Sequence, residues 1–189
     1  MFSTKAAVAG LAVAVCFGTA RPVLAQGAKP AGRTATTEIS GGFTLQTWNS
    51  GFGESKGFAV DFARVVTRMG NHDVRVFADF ARNRFTGEET DTSVVGGLRW
   101  RLYQDGRAGF FVHGSAGVVH WVEDPDPFFP TGSGNDLMFG GGGGVQFDLT
   151  RRLAARGQVD FWMERDSDFH DWDLISRVYA SVVIKLGGK

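Results

Sequence analysis

The sequence predicts an all-β chain, an eight-stranded antiparallel up-and-down transmembrane β-barrel, on three observations. Apolar residues recur with period two in eight separate stretches, several stretches are longer than most strands of soluble proteins, and the connections between them alternate short and long. An even strand count with tight turns at one end and longer polar loops at the other is the pattern of a closed up-and-down barrel, with both chain ends on the tight-turn side. No stretch approaches the ~20 apolar residues that a membrane helix needs.

The chain ends are set apart by composition. Residues 1–25 read as a cleaved signal peptide: Lys5 gives a positive start, Ala6 to Val15 an apolar run, and Val23-Leu24-Ala25 a small-residue cleavage site. Residues 26–37, with Pro30 and mostly small or polar neighbours, read as a flexible periplasmic lead-in, and residues 38–189 as the barrel domain. Cys16, the only cysteine, lies in the leader, so an exported mature chain has no disulfide and must draw stability from its core or from closure of its sheet. Loss of Lys5 and Arg21 takes the formal net charge from 0 to −2, which argues against a nucleic-acid partner.

The strands follow in order. From Thr37 to Trp48, Ile39, Phe43 and Leu45 share one parity, with Glu38, Ser40, Thr44 and Gln46 on the other. After a glycine-rich turn, Phe58, Val60 and Phe62 alternate with Ala59, Asp61 and Ala63. A tight turn at Met69 to His72 leads into Val74, Val76, Ala78 and Phe80, alternating with Arg75, Phe77, Asp79 and Ala81. Beyond a polar loop from Asn83 to Asp91, the fourth strand alternates Val94, Leu98 and Trp100 with Ser93, Arg99 and Arg101. Tyr103 to Arg107 turns the chain into a fifth strand, Ala108 to Val122, and Glu123 to Asn135 forms the longest loop, rich in proline. Strand six carries Phe139, five consecutive glycines Gly140 to Gly144, and Phe147. A short break at Thr150 to Arg152 leads to strand seven, where Leu153, Ala155, Val159, Phe161 and Met163 alternate with Ala154, Arg156, Gln158, Asp160, Trp162 and Glu164. The last strand alternates Ser176, Val178, Ala180, Val182 and Ile184 with Arg177, Tyr179, Ser181 and Lys185.

Period two by itself does not say which face points outward; apolar residues inside would make a soluble, lipocalin-like periplasmic carrier of an apolar ligand. The charges favour the opposite arrangement. One parity collects Arg75, Arg99, Arg101, Arg156, Arg177 and Lys185 with Glu38, Asp61, Asp79, Asp160 and Glu164, and a narrow barrel that encloses charge must pair it, for which arginine is suited. The strands are long enough for the ~9–11 residues that cross a bilayer. Trp100, Tyr103, Phe110 and Phe147 fall near the tight turns and Phe58, Phe80, Phe161 and Trp172 near the long loops, as two interfacial aromatic belts would.

Together these residues resemble the small eight-stranded outer-membrane β-barrel family, the OmpA-like and opacity-like group, over Glu38 to Leu186. The resemblance is carried by Glu38-Ile-Ser-Gly-Gly-Phe43 in the first strand, Val95-Gly-Gly-Leu-Arg-Trp100 in the fourth, Gly140 to Gly144 with Phe147, and Arg156-Gly-Gln-Val-Asp160 before the last strand. It implies a monomer in the outer membrane of a Gram-negative envelope, inserted by the barrel assembly machinery and surrounded by outer-membrane lipid and lipopolysaccharide. It also implies a side-chain-filled interior with a structural or surface-interaction role and at most slow leakage of small solutes. The family usually closes on an aromatic residue; here the chain reads Lys185-Leu-Gly-Gly-Lys189.

The expected interior polar network is Glu38, Asp61, Arg75, Asp79, Arg99, Arg101, Arg156, Gln158, Asp160, Arg177 and Lys185. No cofactor, metal or catalytic site is expected. His72, His113, His120 and His170 lack ligand spacing, and Asp166, Asp168, Asp171 and Asp173 lack the glycine and terminal glutamate of a calcium-binding EF-hand loop. Some outer-membrane barrels modify lipid, and a hydrolase of that kind would need a lipid-facing histidine and serine. His113 and Ser115 share a face, but a long or bulged turn before strand five would send Phe110, Val112, Ala116 and Val118 outward and keep His113 off the lipid. Phe128 and Phe129 in the longest loop are a possible surface contact. With Leu149 opposite Leu153, strands six and seven pair Gln146 with Arg156, Gly144 with Gln158, Gly142 with Asp160 and Gly140 with Trp162, which makes the glycines room for the polar filling.

Overall fold

The computed structural model describes residues 36–48, 53–69, 72–85, 89–123, 132–165 and 172–187. The leader, most of the lead-in, Phe128, Phe129, Asp166, Asp168 and Asp171 lie outside the described residues. Eight strands run in sequence: β1 (Thr37–Trp48), β2 (Glu54–Met69), β3 (His72–Phe85), β4 (Glu89–Asp105), β5 (Ala108–Glu123), β6 (Ser133–Asp148), β7 (Leu153–Arg165) and β8 (Trp172–Leu186). Each pairs antiparallel with its sequence neighbours, and β1 pairs with β8 to close the barrel. Closure satisfies the backbone of every strand and leaves no open edge, which is the condition for a sheet to stand in lipid.

The strands extend further into the loops than hydropathy predicts. β3 runs to Phe85 and β4 starts at Glu89, with Arg84 opposite Thr90, because backbone pairing continues beyond the apolar band. The tight ends are built from local chemistry. Gly106, at φ 55°, forms the β4–β5 turn with Arg107, a left-handed conformation that glycine adopts without a Cβ clash. In the β6–β7 turn the Thr150 hydroxyl accepts hydrogen bonds from the backbone N–H groups of Arg152 and Leu153, at 3.1 and 3.0 Å.

Side chains alternate between an enclosed and an exposed face on every strand. Two irregularities adjust the parity, between Val65 and Thr67 on β2 and between Arg101 and Tyr103 on β4. The second is decisive. The extra residue, Leu102, keeps Arg101 inside while Tyr103 is exposed, so Phe110, Val112 and Val118 face outward and His113 inward. A tight turn with a bulge in the strand before it thus performs the switch expected of the turn region.

Strands β6 and β7 pair in the register read from the glycines: Gln146 with Arg156, Gly144 with Gln158, Gly142 with Asp160 and Gly140 with Trp162. The geometry adds a reason. A Cβ on Gly142 would collide with the Val159 carbonyl oxygen across the strand pair and lie 2.7 Å from Asp160 Oδ1. On Gly140 it would lie 2.7 Å from the Trp162 ring, and on Gly144 2.7 Å from the Phe111 ring. The glycines therefore make room for neighbouring backbone as well as for the filling.

Replacing Gly142 with leucine is expected to abolish refolding into the compact, heat-modifiable form on a detergent gel. Gly157→Ala, where the added methyl meets nothing within 4 Å, is expected to refold as the parent does. Equal refolding of both variants would refute the packing role of the glycine ladder.

The charged barrel interior as candidate functional site

The enclosed face of the barrel is predominantly polar. At the tight-turn end Glu38 is the hub: its carboxylate meets Arg75 at 2.7 Å, Arg156 at 2.7 Å and Arg101 at 3.2 Å, and accepts a hydrogen bond from Gln146 at 3.2 Å. Asp73 completes this level by accepting two hydrogen bonds from Arg75, at 3.1 and 2.9 Å. One turn of the network deeper, Asp61 accepts both arms of Arg99, at 3.1 and 2.8 Å, and one arm of Arg156 at 2.8 Å. Arg156 therefore ties the two levels together, and its side chain is wholly buried. Bidentate pairing of this kind offsets the desolvation of the enclosed charges.

The next level is built on Asp160, which accepts from Arg177 at 2.8 Å and from Gln158 at 2.9 Å and stands 2.9 Å from His113 Nε2. The other arm of Arg177 reaches Asp79 at 2.8 Å. Toward the long loops, Thr44 donates to Asn83, Asn83 donates to Gln46 at 3.2 Å, and Gln46 donates to Asp91 at 3.3 Å. Aromatic rings fill the space between the guanidinium groups. Arg99 lies 4.6 Å from the Phe77 ring centre and 5.1 Å from that of Phe111, and Arg177 lies 4.3 Å from Trp162. Above them Val95, Val119, Met138, Trp162 and Ile175 form an apolar plug against Trp48.

All eleven residues expected on the interior face point into the barrel, but not all share one network. Lys185 sits at the tight-turn mouth and pairs with Asp148. Ser40, Thr44, Gln46 and Tyr179 carry the enclosed parity in the sequence but stand outside the expected network; Asn83 and Asp91 fall in the expected loop, and Asp73 and Asp136 are enclosed polar groups that sequence reasoning does not name. His113 and Ser115 both face the enclosed side: His113 is held by Asp160, and Ser115 accepts a hydrogen bond from Trp162 Nε1 at 3.1 Å. A lipid-facing histidine and serine pair is therefore not formed by these two residues.

The outer face is the complement. Phe43, at 81% exposure, together with Val60, Phe62, Leu98, Phe139, Phe161 and Val182, belongs to a continuous apolar surface. Phe58 and Phe80 pair at one end with ring centres 6.5 Å apart, Phe139 and Trp172 at 5.3 Å, and Trp100, Tyr103, Phe110 and Phe147 lie toward the other end. Solved structures share this fold. Neisserial surface protein A aligns over 80% of this chain and 98% of its own, with TM-score 0.64 at 11% identity. The chain has the fold of the small eight-stranded outer-membrane β-barrels. Ail, the attachment invasion locus protein of Yersinia pestis, aligns over 81% of this chain and 99% of its own, at TM-score 0.56 and 13% identity. The outer membrane enzyme PagL aligns over 79% and 99%, at TM-score 0.51 and 12% identity. No protein-family model matches the sequence. No curated protein matches it either.

Removing Arg156, which ties Glu38 to Asp61, is expected to be costly. Arg156→Met leaves Glu38 and Asp61 each short of a cationic partner in a buried site, and should lower the unfolding free energy by about 3–5 kcal/mol in a urea titration of the lipid-refolded protein. Adding Asp61→Asn to that variant should recover part of the loss, so a strictly additive double-mutant cycle would contradict direct coupling.

Proposed function

We propose that this protein is an integral outer-membrane barrel, exported through the periplasm, with a sealed interior and a structural or surface-interaction role. The observation that carries the reading is the inversion of polarity: guanidinium–carboxylate pairs fill the inside, while a band of exposed aliphatic and aromatic residues surrounds the outside. In water such a band would drive aggregation, and in a bilayer it is the solvated surface. The alternative, a soluble carrier of an apolar ligand, would need an apolar internal cavity where this barrel holds Asp61, Arg99 and Arg156. Because the interior is crossed by ion pairs and by the Trp162 cluster, conductance is limited to slow passage of small solutes. The lipid-modifying alternative draws no support from His113 and Ser115, which are turned away from lipid.

Fractionation is expected to recover the protein with membranes and to release it only with detergent, as a band whose mobility shifts on heating. Recovery in the soluble fraction without detergent would sink the membrane reading. Leu98→Arg places a charge on the exposed mid-strand surface of β4, where Leu98 is 57% exposed, and should destabilise the bilayer-refolded barrel by about 2–4 kcal/mol. In a soluble barrel the same exposed substitution would be nearly neutral, within about 0.5 kcal/mol.

A further inference from the structure

The lumen mouth at the long-loop end gathers acids without matching cations. Glu89 and Asp91 on β4, Glu123 on β5, Asp136 on β6, Glu164 on β7 and Asp173 on β8 stand at this level with the parity of the enclosed face. Glu89 is directly opposite Glu123, and Glu164 directly opposite Asp173, placements in which like charges repel. Among the described residues no lysine or arginine faces the lumen at this level, since Lys56, Arg82, Arg84 and Arg165 have the outward parity. The connecting segments 49–52, 86–88, 124–131 and 166–171 contain no lysine or arginine and add six more acids. Arg177, deeper in the lumen, is taken by Asp79 and Asp160. A cleft lined by one sign of charge focuses the field and concentrates counter-ions, here cations.

Two buried polar groups at the same level lack a hydrogen-bond partner. Ser55, fully buried, faces the lumen beside Gln46 of β1 and Phe85 of β3, and its hydroxyl is unpartnered. Asp91, 1% exposed, accepts from Gln46 through Oδ2, while its Oδ1 is unpartnered. A buried hydroxyl and a buried carboxylate oxygen left so are costly, and both are met by N–H donors. Aromatic rings line the same space: Trp48 and Phe85 meet edge to face at 4.9 Å, and Trp48 rests on the apolar plug that closes the lumen below. Among the described residues no three acids or histidines are grouped so as to hold a metal ion, which favours a cation that donates hydrogen bonds over a bare divalent one. We infer that this mouth binds a polyamine, a flexible organic cation whose ammonium groups are spaced along a methylene chain. One ammonium donates to Asp91 and Glu89, a second reaches the Ser55 hydroxyl, and the chain lies against the rings of Trp48 and Phe85. The plug makes the mouth a dead end, so the ligand is held and not conducted.

Isothermal titration calorimetry of the full chain, refolded in detergent, with spermidine as the probe tests the site. The parent should bind spermidine, and the Glu89→Gln, Asp91→Asn double variant should bind it about tenfold more weakly. Ser55→Ala, which alters no charge, should weaken binding about threefold, and it reads the site even if the double variant does not refold. Glu54→Gln removes an outward acid at the same end and should bind as the parent does. Calcium chloride should compete no better than sodium chloride at equal ionic strength. No binding by the parent, equal binding by the parent and the site variants, or equal loss in Glu54→Gln would overturn the site. Calcium that displaces spermidine where sodium does not would overturn its assignment to an organic amine. The site depends on the closed barrel and not on what surrounds it, so this titration and the membrane fractionation test separate claims.

Discussion

Everything in this barrel depends on pairing the charge it encloses. A cylinder of eight strands has an interior just wide enough for side chains, and the large apolar residues occupy the exposed face, so the remaining polar residues must share a narrow enclosed space. An unpaired carboxylate or guanidinium there would cost more than the fold can offset. Glu38 and Asp61 answer this by sharing Arg156, and Asp160 and Asp79 by sharing Arg177. Each arginine is a planar fork that reaches two strands' carboxylates at once, which a lysine's single ammonium could not do with the same geometry.

The same constraint explains the glycines. Trp162, Asp160 and Phe111, which reach into the lumen, each face a glycine on the neighbouring strand. Volume is thus traded between adjacent strands, so the filling can be bulky without widening the barrel. The charge is unevenly placed along the axis: arginines and their partners occupy the tight-turn half and the middle, while Asp91, Asp136 and Glu164 are enclosed nearer the long loops. The interior therefore changes from a cross-linked cationic and anionic lattice to an acidic mouth above an apolar plug.

The consequence for function is a division of labour between surfaces. The inside is committed to holding the cylinder closed, and its histidine and serine are bound into that lattice. The outer face ends, toward the long loops, in the aromatic pairs Phe58–Phe80 and Phe139–Trp172.

Much of this was legible in the sequence because a strand's side chains alternate by geometry, independent of what surrounds it. Parity alone assigned Arg75, Arg99, Arg156 and Arg177 to one face, and the run Gly140 to Gly144 set the β6–β7 register because only glycine tolerates Asp160 and Trp162 beside it. The pairing inside the barrel was not legible. Glu38 lies 118 residues before Arg156, and the two meet only because closure through β1 and β8 curves the sheet until distant strands face each other across the lumen. Nor could the sequence place the Leu102 bulge, since inserting one residue into a ladder is decided by how β4 and β5 pair over their whole length. Period and composition determined which residues are enclosed; the closed cylinder, with its fixed diameter, decided which of them touch.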